Sequence, residues 1–420
     1  MVGVMSDREF DVIVFGATGF VGKLTAAYLA ELAPAGTKIA LAGRSEHKLA
    51  QVRFDLPAPA DTWPLVVADI NSPASLDAMA ARTRVICTTV GPYLKFGESV
   101  LAAAANAGTD YVDLTGEVPF VRLSIDKYGE QAEASGARIV HSCGFDSVPS
   151  DLGVYLLHKR ITADQAGSMG DTTMVVRSFR GGVSGGTVDS MRVIAKEAAD
   201  PETRRTLLDP HALSTAPGER AGIKRSAEPS DMAMISGSKV DPSLKGTLAP
   251  FFMASYNTRI VRRSNALLDG AYGDDFHYGE AMYVGGLPGV STAVAGAVSA
   301  GTVAFLGAMS VGPVRSVLDR ILPKPGEGPS EKVRETGHFT TETYTTTSTG
   351  RRYRSRMRAK GDPGYKATAV MLAESALSLT LHRDVLPNRT GVLTPAAAIG
   401  DVLINRLESA GFVLETEELT

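Results

Sequence analysis

VIVFGATGFVG, residues 12–22, sets four β-branched or aromatic residues directly before Gly16, with Gly19 and Gly22 following at intervals of three. The helix-compatible run KLTAAYLAELA (23–33) comes next. Strand, glycine turn and helix N-terminus in that order make an anion cradle. Gly16 allows the tight turn, Gly19 lets the backbone approach a pyrophosphate, and Gly22 lets helix and strand pack closely. Thr18 and Phe20, in the same turn, join the glycines as cofactor-binding candidates. The context predicts a dinucleotide-binding domain at the start of a parallel α/β sheet.

The next strand indicates which dinucleotide. KIALA (38–42) runs into Gly43-Arg44-Ser45, with Lys48 one helical turn further on. An NAD site usually carries an acidic residue here for the ribose 2′-hydroxyl. An arginine and a hydroxyl instead suit a 2′-phosphate, which a guanidinium clamps through two parallel hydrogen bonds. The alternative is that Arg44 lies over the adenine ring, which leaves room for NAD. NADP(H) is the expected cofactor. Asp69, at the end of LVVAD (65–69), faces either the adenine edge or the N-terminus of the next helix.

A chain of 420 residues holds two or three domains with sizeable cores. Its net charge of −3 and 21% charged residues give no nucleic-acid footprint. The two cysteines, Cys87 and Cys143, form no CxxC and have no ligand-spaced histidines, so no metal site or disulfide framework is expected. MVGVMSDREFD (1–11) lacks the basic and apolar regions of a signal peptide, and the expected location is the cytoplasm.

Short β runs at 12–15, 39–42, 66–68, 85–89, 111–114 and 138–142 alternate with amphipathic stretches, which implies a Rossmann-type, doubly wound parallel sheet over residues 1–150. Beyond it the texture changes. Residues 174–180 and 338–357 predict strands of a second, antiparallel sheet, the latter a hairpin turning at Thr349-Gly350. This second, α+β substrate domain is expected over 151–385, with a polar excursion at 200–250. Residues 386–420 are expected to form a helix returning to the nucleotide domain.

Residues 281–314 carry no charge, and Pro288 and Pro313 bracket a run rich in Ala, Gly and Val. As a helix the bracketed run would measure about 36 Å, against a bilayer core of roughly 30 Å. A span would put the C-terminal helix on the wrong side of a membrane from the sheet it should pack on. Two readings stand: contact with a membrane surface through 288–313, peripheral at the inner face of the cell membrane, or ordinary core. A homodimer is a further expectation.

In open α/β sheets ligands bind outside the carboxyl ends of the strands. Three loops fall there: TVGPY (89–93), DLTGE (113–117) and CGFDSVPSD (143–151). Gly91, Pro92 and Gly144 bring backbone close to a nicotinamide, and Tyr93 and Glu117 are the catalytic candidates as proton donor or orienting group. Each has a plain structural alternative: Glu117 and Thr115 as helix caps, Cys143 as a packed thiol rather than a nucleophile.

GATGFVG, LAGRS, TTVGPYLKFGESV, AGTDYVDLTGE and CGFDSVPSDLG, in this order, resemble the saccharopine dehydrogenase-like oxidoreductases. VRSFRGGVSGGT (176–187), YNTRIVRRSNAL (256–267), PKPGEGPS (323–330) and GVLTPAAAIGD (391–401) extend the resemblance to the trans-acting enoyl reductases of polyketide wax biosynthesis. The resemblance implies NADPH-dependent reduction of a 2-enoyl thioester carried on a polyketide synthase. The middle of the chain lacks a recognisable set of arginines for a dicarboxylic amino acid, so amino-acid metabolism is the weaker enzymatic expectation. Reduction of another carbonyl or imine, and a non-catalytic NADPH-binding role at a lipid surface, are the remaining alternatives. Arg177 and Arg180 are read either as holding a phosphopantetheine or carboxylate, or as solvated charges.

Overall fold

Phe10, Val12, Ile13, Val14 and Phe15 are all buried, because their strand lies in the middle of a sheet covered on both faces. The computed structural model describes residues 8–182, 185–214, 228–287, 289–310 and 328–420. Seven of the described strands are β1 (Phe10–Phe15), β2 (Ile39–Gly43), β3 (Leu65–Val67), β4 (Thr83–Thr88), β5 (Asp110–Val112), β6 (Arg138–Val140) and β13 (Gly391–Leu393). They form one sheet in the order β13-β6-β5-β4-β1-β2-β3, every neighbouring pair parallel. The order reverses between β2 and β4 around β1, which opens the ligand crevice of this architecture.

The second sheet is mixed. It contains β7 (Met169–Arg180), β8 (Ile235–Ser236), β9 (Thr247–Pro250), β10 (His277–Tyr283), β11 (His338–Thr347), β12 (Arg352–Lys360) and β14 (Val413–Leu419). Their order is β14-β12-β11-β7-β10-β9-β8, with β7 and β10 parallel and the other neighbours antiparallel. The β11–β12 hairpin turns at Gly350, whose φ of 83° suits a residue without Cβ. The architecture is thus the expected Rossmann-type α/β sheet with a second sheet beside it, and that second sheet is mixed where an antiparallel one was expected, because β10 joins β7 in parallel.

Several stretches fold differently from their sequence texture. The polar excursion at 200–250 supplies the helix Pro201–Leu208 and the strands β8 and β9; residues 215–227 lie outside the described part. Burial of Leu244 and Leu248 against Val175, Ala281 and Tyr344 explains why so polar a segment joins the sheet. Of the apolar run, residues 281–283 end β10 and Val290–Ser310 is a helix, while Pro288, Pro313 and residues 311–314 are outside the described residues, as are 323–327 of PKPGEGPS. Among the described residues no helix is long and apolar enough to cross a membrane. The C-terminal part forms the expected helix (Asp401–Ser409) and also two strands, one for each sheet.

The helix Thr368–Leu381 is almost wholly buried and packs on Phe20–Leu32, β4 and β5. Its Glu374 accepts hydrogen bonds from Tyr28 on the nucleotide helix and Arg406 on the C-terminal helix, both at 2.5 Å. A buried carboxylate is held when such partners replace water. Here it ties three remote segments together.

Polar groups also fill the junction between the sheets. Asp151, fully buried at the start of the helix Val148–Ala163, accepts the Ser264 hydroxyl and the Ala396 N–H. Glu280 on β10 accepts from Asn257 Nδ2 at 3.0 Å and the Tyr278 hydroxyl at 2.9 Å. Burial pushes both carboxyls up to about 7. An unfolded chain releases those protons near pH 4, so between about pH 4 and 7 the folded state binds more protons and stability falls as pH rises. Urea unfolding from pH 5 to 8 should show a loss on the order of 2 kcal/mol per group. The loss should shrink in the double variant Asp151→Asn, Glu280→Gln; an unchanged slope would remove these two carboxyls as its source.

Candidate functional site

The crevice at the strand reversal contains a cavity of about 500 Å³. One end is the glycine turn. Gly16 has φ 87°, and a Cβ there would meet Val90 Cγ2 at 2.7 Å. A Cβ on Gly22 would meet the Gly16 carbonyl oxygen at 2.2 Å, so only glycine lets the helix Phe20–Leu32 sit this close to β1. Gly19 caps that helix without a side-chain hydrogen bond, which leaves first-turn N–H groups for a ligand. Gly16, Thr18, Gly19 and Phe20 line the cavity, whereas Gly22 is buried behind it.

Beyond β2, Arg44 lines the cavity and is exposed; no hydrogen bond or ion pair engages it among the described residues. An uncommitted guanidinium beside a helix N-terminus is the chemistry a phosphate requires. Ser45 caps the helix Glu46–Phe54, its hydroxyl accepting the Lys48 N–H, and Lys48 is exposed outside the lining. Asp69 lines the cavity and accepts hydrogen bonds from Asn71 N and Nδ2, while Ser72 takes the N-cap of the helix Pro73–Arg82. The donors, the cradle and the free arginine fit an NADP(H) molecule.

At the other end, Gly91 and Tyr93 line the cavity while Pro92 is buried behind them and Gly144 is buried in its turn. The Tyr93 hydroxyl donates to the Thr88 carbonyl (3.2 Å) and accepts from Leu114 N–H (3.1 Å). Burial raises its pKa well above the ordinary phenol value, with the Asp113 charge adding to the effect. Tyr93 therefore staples the loop after β4 to the loop after β5. Glu117 is buried and not part of the wall. Its carboxylate accepts the N–H groups of Tyr93 (2.9 Å) and Leu94 (2.7 Å) and the Ser190 hydroxyl (2.6 Å). It is a cap, though of the turn Tyr93–Phe96 rather than of its own helix Val118–Ser135. Desolvation raises its pKa, and the three hydrogen bonds oppose that rise.

Beneath these loops lies Asp113. Its carboxylate accepts Tyr111 OH, Thr115 N–H, Ser142 N–H and His141 Nδ1, at 2.7–3.0 Å. A carboxylate only accepts, so His141 carries its proton on Nδ1, and Nε2 meets Ser124 Oγ at 2.9 Å. The Ser142 hydroxyl reaches Thr115 O and the Tyr256 hydroxyl, bringing in the helix Ala254–Leu267. Cys143 is buried and burial raises its thiol pKa far out of the nucleophilic range.

Sequence reasoning missed the far wall. Ser190, Met191 and Ile194 come from the helix Gly185–Glu197, Met253 from the turn after β9, and Gly364, Tyr365 and Thr368 from the start of the central helix. None carried a local signal. Asp146, inside the third loop, also lines the cavity. Arg44 is the one basic residue among the described lining residues, and the wall near Tyr93 is mostly apolar, with Val90, Phe96, Leu114, Met191, Ile194 and Met253 beside Ser190 and Asp146. Arg177 lies elsewhere, bonded to Glu342 (3.2 Å) and stacked over Tyr283, and Arg180 is exposed.

Residues 12–140 match the saccharopine dehydrogenase NADP-binding domain. Along 98% of the chain and 100% of the other, the fold is similar to that of apo saccharopine dehydrogenase (L-Glu forming) from Saccharomyces cerevisiae, with a TM-score of 0.52 and 11% identity. A trans-acting enoyl reductase of Mycobacterium bovis is 48% identical over 99% of both chains. Another, of Mycobacterium leprae, is 47% identical over 98% of this chain and 99% of its own. The cofactor indicated by the matched domain is NADPH. Identity at this level over nearly the whole length shows that the chain belongs to the trans-acting enoyl reductase family, built on a saccharopine dehydrogenase-type NADP-binding domain.

Proposed function

We propose that this protein is an NADPH-dependent trans-acting enoyl reductase that reduces a 2-enoyl thioester while the acyl chain is carried on a polyketide synthase. The observation that carries the reading is the cavity itself: an anion cradle and one free arginine at one end, an apolar wall without a second cation at the other. A dicarboxylic amino acid would leave its carboxylates unpaired there, whereas an acyl chain would not.

Gly16, Thr18, Gly19 and Phe20 hold the pyrophosphate over the helix N-terminus, with Gly22 supporting the turn. Arg44 clamps the 2′-phosphate with Ser45 and Lys48 beside it, and Asp69 flanks the adenine. When bound, NADPH supplies a hydride. Backbone around Gly91, Pro92 and Gly144 borders the nicotinamide, and N–H groups of those loops polarise the thioester oxygen. Tyr93 and Glu117 act as positioning residues: the first holds two strand-end loops together, the second fixes the turn that carries Tyr93 and, through Ser190, the far wall.

A cytoplasmic enzyme handling lipid chains also has a use for the helix Val290–Ser310. Val290 and Val294 are exposed, as are Ala293, Ala297, Ala300 and Ala304, and Leu287 projects just before the helix. We assign this face to contact with the inner membrane surface. Flotation with phospholipid vesicles should carry the protein upward, and replacing Val290 and Val294 with Lys should abolish it. A protein that stays at the bottom but sediments as a dimer would give the face to a second copy instead.

Purified protein should consume NADPH with a long-chain 2-enoyl thioester in preference to NADH. Arg44→Ala should raise KM for NADPH about 10- to 100-fold, the equivalent of one charge-assisted contact, and leave KM for NADH unchanged. Equal losses with both cofactors would show that Arg44 serves the adenine instead. Tyr93→Phe leaves the Leu114 N–H without its partner and should cost about 1–3 kcal/mol of stability, with turnover retained within roughly tenfold. A larger fall in kcat at unchanged stability would make Tyr93 the acid.

A further inference from the structure

Protonation at the α-carbon needs an acid on the cavity wall, and the titratable lining residues are few. Arg44 and Asp69 stand beyond β2 and β3, at the adenosine end. The Tyr93 proton is committed to the Thr88 carbonyl. Tyr365 packs edge-on against Phe20, centroids 4.8 Å apart, beside the glycine turn. Asp146 remains. It lines the cavity, is half-buried, and no hydrogen bond or ion pair engages its carboxyl among the described residues.

Its backbone, in contrast, is held firmly. Phe145 N–H donates to Thr368 Oγ1 (3.0 Å), the N–H groups of Ser147 and Val148 both reach the Gly144 carbonyl, and the Phe145 ring packs edge-on against Phe339. A rigid turn between β6 and the helix Val148–Ala163 thus presents one unpartnered carboxyl to an apolar space.

We propose that Asp146 is the catalytic proton donor to the α-carbon, an assignment that rests on the enoyl reductase reading. The β-carbon of the thioester receives hydride from the bound nicotinamide, and the alkene electron pair moves toward the carbonyl as an enolate. The Asp146 O–H bond then breaks as a C–H bond forms at the α-carbon, leaving a saturated thioester, an oxidised nicotinamide and an Asp146 carboxylate that water reprotonates. Desolvation alone raises the Asp146 pKa to about 6, close to the range where a general acid works at neutral pH. Tyr256 on the helix Ala254–Leu267 senses the Asp146 charge together with those of the buried carboxyls Asp113 and Glu117, and Tyr93 on the turn after β4 and Tyr365 before the central helix share the cavity wall with it. None is a cation that would hold Asp146 ionised.

The test compares the full-length wild type with Asp146→Asn and Asp146→Glu, using a 2-enoyl thioester and NADPH between pH 5 and 8. Turnover of the wild type should decline above about pH 6 as the acid ionises. Asp146→Asn should bind NADPH normally by fluorescence, lose about 100- to 10,000-fold in kcat and lose that decline, and Asp146→Glu should recover much of both. In cofactor-free protein, carboxyl-carbon NMR should show one Asp titrating near 6 that is missing from Asp146→Asn. An active wild type whose asparagine variant is equally active, or whose glutamate variant is equally dead, overturns the assignment alone. A wild type that binds NADPH and never reduces the thioester overturns the enoyl reductase reading, and the assignment with it.

Discussion

The Asp113 carboxylate is the point from which the strand-end loops around the cavity are organised. It is fully buried and collects four hydrogen bonds from the ends of β5 and β6. Such a group is stable in an interior only when its oxygens are saturated, so the geometry around it has little freedom. From it the order spreads outward: Thr115 Oγ1 receives the Glu117 N–H, the Glu117 side chain fixes Tyr93 and Leu94, and Ser142 reaches Tyr256. The loops that line the Tyr93 end of the cavity are therefore shaped by a residue outside its wall.

The nucleotide half of the fold was legible because its signals are local. β1, the glycine turn and the helix after it occupy contiguous residues, and the positive φ of Gly16 and the close approach of Gly22 to the Gly16 carbonyl are properties of the turn itself. The six strands that precede the second sheet could be placed from their apolar runs, since parallel strands buried on both faces are rich in Val, Ile and Leu even where Arg84, Asp110 or Arg138 stands among them. β14 was not legible. Residues 386–420 were expected to form a helix, and VLETEEL is instead a strand in which Glu415 and Glu417 meet Arg356 and Arg354 across the sheet. Cross-strand pairing is invisible until the partner strand is known.

The candidate site divides in the same way. Glycines and Arg44 could be named because their chemistry is tied to a motif, whereas Met191, Met253 and Thr368 are ordinary residues whose importance comes only from where the chain returns. Glu117 shows the middle case. A carboxylate in a loop at the strand ends invites a catalytic role, but its two oxygens are consumed by the N–H groups of a neighbouring turn and by Ser190. The sequence could suggest that it was a cap; it could not say of which helix.

β13 has a consequence for how the protein comes into being on the ribosome. Residues 391–393 form the edge of the parallel sheet beside β6, some 250 positions away along the chain. While translation passes through the second sheet, β6 keeps an open row of unpaired backbone groups, the feature that invites wrong partners. The central helix that covers the same sheet also arrives late, at 368–381. The nucleotide domain is thus begun before the second sheet and completed only after it, and its β6 edge stays open in between.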